Sequence, residues 1–169
     1  AIPHPVTSMF LLVKWGHLLG LHEYSAPAMW DGGNWLTLRY RKTIAELESA
    51  GIVIPQIFIG ECGIDGGVLA QPKTGWQTFT QGNARAYMEQ LAWYDAEIGR
   101  NKLVTAATVF TVCSWDWHDF NVTPELAGML ADHIATHHNG PAPEPEPEPP
   151  NDDEEEEEED TMPVIDERI

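Results

Sequence analysis

The chain has 169 residues and a formal net charge of −18, but the charge is spread unevenly. From Pro141 onward, 14 acidic residues stand against one basic residue, Arg168, so that segment carries −13 and residues 1–140 carry −5. The length suits one domain with an adequate core; no basic stripe is present to follow a nucleic-acid backbone, no apolar run would cross a bilayer, and Cys62 and Cys113 make no disulfide framework.

The chain opens on Ala1, Pro3 and Pro5, without a signal peptide, and reads as a piece of a longer protein. Residues 7–16 are apolar and predict the remains of a helix ended by Gly16. Leu18 to Tyr24 predicts a short strand that ends in polar and aromatic groups, and Ser25 to Gly33 a loop. Asn34 is a natural N-cap for a helix from about Trp35 to Ala50, with Leu36, Tyr40, Ile44 and Leu47 on one face and Gly51 as the stop. Ile52 to Ile59 predicts the next strand, which runs into Gly60-Glu61-Cys62-Gly63.

A loop from Ile64 to Gly82 leads into a second helix, about Asn83 to Ile98, whose apolar face is Ala84, Tyr87, Met88, Leu91, Tyr94 and Ile98. Lys102 to Cys113 is rich in β-branched residues and predicts a third strand, ending at Ser114-Trp115-Asp116-Trp117. Thr123-Pro124 opens a third helix, to about His137, that buries Leu126, Met129, Leu130 and Ile134. Strand and helix alternate three times, which predicts an α/β fold with parallel strands and helices packed outside them. From about residue 140 the Pro/Glu alternation and the acidic run Asp152 to Asp160 cannot bury apolar surface; residues 140–169 read as a disordered linker or tail after a domain over 1–139.

The sharpest chemical signal is Glu61. An apolar strand ends at this carboxylate, and three glycines follow within six positions. A carboxylate at the end of a parallel strand is costly unless it is solvated, paired or used, and strand carboxyl ends face the substrate site in such folds. The bland alternative is a carboxylate that only accepts hydrogen bonds from loop N–H groups. All seven tryptophans (15, 30, 35, 76, 93, 115 and 117) fall in the first 140 residues, offering flat faces for sugar rings but equally for an aromatic core.

Three successive strand ends, His22-Glu23-Tyr24, Gly60-Glu61-Cys62-Gly63 and Ser114-Trp115-Asp116-Trp117, resemble the last three strands of clan-A glycoside hydrolases, the retaining (β/α)8-barrel glycosidases. The resemblance is greatest to barrel modules joined by acidic or Pro-rich linkers in bacterial and phage surface proteins. It covers roughly Leu18 to Ile134. It implies a partial TIM barrel, its sixth to eighth strands, with Glu61 as nucleophile, His22 and Tyr24 orienting it, and Trp115 or Trp117 flooring a sugar subsite. It further implies an oligo- or polysaccharide partner, no cofactor, and an extracellular or cell-surface location. The clan's acid/base glutamate usually follows an asparagine; no Asn-Glu pair occurs in this chain, and no five strands precede Leu18. By this reading the N-terminal half of the barrel is missing and the fragment alone is inactive.

Glu23 is a candidate acid/base, but strand alternation sets it on the face opposite His22 and Tyr24, where it would be paired or rim-exposed. Asp65 either binds a sugar hydroxyl or forms a turn. Asp116, His118 and Asp119, and His133, His137 and His138, lack the ligand spacing of a tight metal site, and the second set reads as a solvated helix end. A non-catalytic carbohydrate-binding or surface-anchoring module is the competing function, and a purely structural barrel piece a third. Three βα units leave open strand edges, which predicts self-association of the isolated chain.

Overall fold

The computed structural model describes residues 17–31 and 36–138. The expected helix at 7–16, the Asn34 cap and the linker over 140–169 lie outside the described residues. The elements are β1 (Leu19–Ser25), α1 (Tyr40–Ser49), β2 (Ile57–Ile64), a 3-10 turn (Gly66–Leu69), the short α2 (Trp76–Phe79), α3 (Ala84–Ile98), β3 (Val104–Val109), a second 3-10 turn (His118–Phe120) and α4 (Pro124–His137). The three strands form one parallel sheet in the order β1-β2-β3, an α/β arrangement.

Alternation along β1 sorts its side chains between two environments. Leu19, Glu23 and Ser25 are buried, whereas Gly20 and His22 are exposed and Tyr24 is half-buried. The buried face meets the helices. Ile57 and Ile59 of β2 pack there with Tyr40, Ile44 and Leu47 of α1 and Tyr87, Leu91, Tyr94 and Ile98 of α3. Burying an aliphatic side chain of this size contributes about 1.5–3 kcal/mol, so this face holds the unit together. On the other face His22 and Thr108 are exposed and Phe58 is half-buried.

The pairing of β1 with β2 slips once. Leu21 pairs with Ile59 but His22 pairs with Glu61, so Gly60 is an extra residue in β2. Strict alternation from Ile57 and Ile59 would turn Glu61 toward the helices. The bulge reverses the phase, so Glu61 joins the face of His22 and Tyr24 while Cys62 and Ile64 return to the core.

Local capping signals hold in two helices. Asn83 Oδ1 accepts from Ala86 N–H at the start of α3, and Thr123 Oγ1 accepts from Leu126 N–H at the start of α4, with Pro124 in the first turn. Elsewhere the elements depart from expectation. Helix α1 begins at Tyr40 rather than near Trp35, because the chain turns at Leu38 (φ 65°) and finds its cap on another element. β3 ends at Val109 rather than Cys113, and the chain from Phe110 to Asn121 folds back over the strand ends. There Asn121 Oδ1 accepts from Ser114 N–H, its Nδ2 donates to Ser114 O, and Trp76 Nε1–H donates to Phe120 O. Helix α4 fully buries Leu126 alone, and Ile134, expected in the core, is 53% exposed.

Candidate active site

His22 and Tyr24 stand two residues apart on β1, on one face, and Glu61 stands beside them on β2. The Tyr24 hydroxyl donates to Glu61 Oε2 at 2.6 Å, and His22 Nδ1 lies 3.2 Å from the same oxygen. Burial, then the hydrogen bond to Glu61 and its charge, push the Tyr24 phenol far above its ordinary value of 10.0. Tyr24 therefore stays protonated and can only donate to this carboxylate. The Glu61 side chain is 35% exposed, so it remains solvated and needs no buried counter-ion. Among the described residues no hydrogen bond engages Oε1. One oxygen is held and the other is open.

A cavity of about 280 Å3 opens beside this carboxylate, lined by Tyr24, Glu61, Asp65, Phe110, Trp117 and Phe120. Its wall is an aromatic cluster. Phe110, Trp117 and Phe120 meet edge to face with ring centres 5.4–5.8 Å apart, and Tyr24 sets its ring at 85° to Phe110. Such edge contacts add about 0.5–1.5 kcal/mol per pair beyond area burial, which makes the wall stiff. Lys73 Nζ stands 5.7 Å from the centre of the Trp117 ring, on the loop after β2.

Glu23 is placed elsewhere, and its candidate acid/base role is corrected. It is 0% exposed on the helix-facing side of β1. Its Oε2 accepts from Leu38 N–H and the Tyr94 hydroxyl, and its Oε1 from Tyr40 N–H, each at 2.8 Å. Glu23 is thus the cap of α1, supplied from the sheet in place of a local side chain. Burial pushes its carboxyl above the ordinary value, against the lowering pull of hydrogen bonds from Tyr40, Tyr94 and Leu38 and the charge of Arg39. On the same face the Cys62 thiol is pushed up to about 12, by burial and then by the Glu23 charge, which leaves it a packing residue.

Asp65 forms the expected turn and also stands in the cavity wall. Its Oδ1 accepts from Gly67 N–H at 2.7 Å, capping the first 3-10 turn, while the residue still lines the cavity. The two tryptophans are placed apart: Trp117 lines the cavity, and Trp115 is 89% exposed outside that lining. Both lie in a loop, not a strand, so strand alternation does not govern them. Asp119 Oδ2 accepts from Gly75 N–H.

Sequence reasoning missed Phe110 and Phe120. The signal for Phe110 was its position, an aromatic residue at the end of the β-branched run of β3, where Tyr24 also sits on β1. Phe120 had no local signal, because its contacts come from the returning loop.

No family model, no curated protein and no solved structure matches the chain. No described helix is long and apolar enough to cross a membrane.

Proposed function

We propose that this chain carries the nucleophile half of a retaining glycoside hydrolase site, on the sixth to eighth βα units of a (β/α)8 barrel. One observation carries the reading: a solvated glutamate in the carboxyl-terminal half of the parallel strand β2, turned out of the core by a bulge and gripped on a single oxygen by Tyr24, with His22 beside it. Glu23, one strand away, is used differently, with both oxygens taken by hydrogen bonds from Leu38, Tyr40 and Tyr94.

In this mechanism Glu61 Oε1 attacks the anomeric carbon, and the bond to the leaving oxygen breaks through an oxocarbenium-like transition state. Tyr24 aims the carboxylate, and His22 flanks it. Trp117 with Phe110 walls the sugar, and Asp65 meets a hydroxyl. The leaving oxygen takes its proton from a second carboxylic acid, which then activates water. That acid stands about 5–5.5 Å from Glu61 in a retaining pair. Of the described carboxylates only Asp65 shares the cavity, and it is already bound to Gly67 N–H, so the acid comes from residues outside those described. The reading brings an oligo- or polysaccharide partner. The Pro/Glu-rich segment after residue 140 fits a module displayed at a cell surface or outside the cell.

The test uses 2,4-dinitrophenyl hexosides, whose leaving group departs without a proton. The full chain, without turnover for want of the second acid, should still release a burst of one dinitrophenolate per molecule, and the Glu61→Gln chain none. Equal release by both would defeat the proposal.

The second reading, a carbohydrate-binding module, draws on the same aromatic wall and on the occupied state of Glu23. It predicts oligosaccharide binding that Trp117→Ala abolishes and Glu61→Gln leaves intact, with no burst.

A further inference from the structure

The last described helix, α4, meets α3 through a cluster the candidate active site does not use. Asp95, on α3, points its Oδ2 at two imidazoles: His133 Nε2 at 2.9 Å and His138 Nε2 at 2.8 Å. The three donor atoms all lie within 4.8 Å of one another. They come from two helices and close over the rim of an apolar cavity of about 520 Å3 between β3, α3 and α4, which Asp95, His133 and His138 help to line. His137 stacks on His133 with ring centres 4.2 Å apart, and its Nδ1 lies 2.9 Å from His133 O, so His133 is fixed from behind. The three histidines alone read as a solvated helix end. Asp95, 38 residues before His133, changes that.

We propose that Asp95, His133 and His138 form a binding site for a borderline divalent transition metal, of the Zn2+ or Co2+ class, that clamps α4 onto α3. Two imidazoles and one carboxylate select such a metal over Mg2+ or Ca2+, which take oxygen ligands. Metal–donor bonds of about 2.0–2.2 Å put adjacent donors of a tetrahedral site about 3.3 Å apart. The Asp95–imidazole separations therefore open by about half an ångström on binding. His138 ends the helix with its side chain 50% exposed, so it has room to make that movement. The same exposure leaves a fourth position to water. The physical need is plain: α4 buries only Leu126 completely and leaves Ile134 half out, so apolar packing holds it weakly. A bridge between helices supplies what the packing lacks.

The acidic segment also attracts divalent cations, so the test is run on the full chain in excess Mg2+. Co2+ is titrated while its visible d–d absorption is followed, with Zn2+ in competition. The expected result is one saturable equivalent, displaced by Zn2+, and a Tm raised by about 5 °C at saturation. His133→Gln, His138→Gln and Asp95→Asn each weaken Co2+ at least tenfold and erase the Tm rise, while His118→Gln changes neither. Circular dichroism of each variant without metal checks that α4 still forms, and His138→Gln, at the exposed helix end, is the variant least able to disturb folding. Saturable Co2+ binding that survives His133→Gln with His138→Gln, or no Mg2+-resistant binding at all, overturns the assignment.

Discussion

Tyr24 donates its hydroxyl to Glu61 Oε2 at 2.6 Å across the gap between β1 and β2. The contact exists because two backbone features agree. Tyr24 sits on the open face of β1 by simple alternation, and Gly60 shifts β2 by one residue so that Glu61 arrives on that face.

Tyr24→Phe therefore removes a hydrogen bond to a charged group without opening the core. Such a bond is worth about 1.5–3 kcal/mol, so the rate of glycosyl transfer to Glu61 should fall roughly 10- to 100-fold. The unfolding midpoint in urea should stay nearly unchanged. Rapid-mixing kinetics of dinitrophenolate release checks the first and equilibrium denaturation the second.

Glu23→Gln should destabilise the fold by about 1–3 kcal/mol, because an amide turns two donor hydrogens toward Leu38, Tyr40 or Tyr94 and strands at least one of them. The pH dependence has a definite sign. Glu23 binds its proton more tightly folded than unfolded, because burial raises its carboxyl above the ordinary value of 4.5. Its stabilising contribution is then complete below that value and declines as pH rises through the folded-state pKa. The stability difference between the parent and Glu23→Gln should accordingly be largest in acid and shrink toward neutrality. Urea titrations across that range measure it, and a difference that grew with pH would contradict the assignment.

Local chemistry made much of this fold legible. Asn83 and Thr123-Pro124 announce their helices because a cap needs only its own next turn, and the apolar faces of α1 and α3 follow from helical spacing. What escaped depends on distant partners. The start of α1 is set by Glu23, and Asp95 meets His133 and His138 across two helices. The bulge at Gly60 has no signature beyond a glycine before a carboxylate. At the site, His22, Tyr24 and Glu61 could be grouped from their strand ends, but Phe120 and the separation of Trp117 from Trp115 arise in a loop whose path no periodicity encodes.

Two glycines should respond in opposite directions. At Gly63 (φ 155°) an added Cβ would come within 2.6 Å of the Tyr87 hydroxyl, so Gly63→Ala should cost about 1–3 kcal/mol. Gly128 lies in α4 with open space around the position of a Cβ, and Gly128→Ala should stabilise by up to about 1 kcal/mol through helix propensity. Thermal unfolding of both variants decides.

Trp117 and Trp115 should separate in the same way. Trp117→Ala removes the cavity wall and its ring contacts with Phe110 and Phe120, so oligosaccharide affinity should drop at least tenfold, about 1.4 kcal/mol. Trp115, 89% exposed, should tolerate alanine with less than a twofold change. Calorimetric titration with oligosaccharides measures both.

The central claim is that Glu61 forms a bond to sugar, and trapping that bond tests it most directly. The full chain is incubated with a panel of 2,4-dinitrophenyl 2-deoxy-2-fluoro-hexosides, then digested and mapped by mass. A single fluorohexosyl group on the peptide containing Glu61, lost in Glu61→Gln and slowed in Tyr24→Phe, is the predicted result. An unmodified Glu61 peptide across the panel, in a chain that still binds oligosaccharides through Trp117, would contradict the account and leave a binding module in its place.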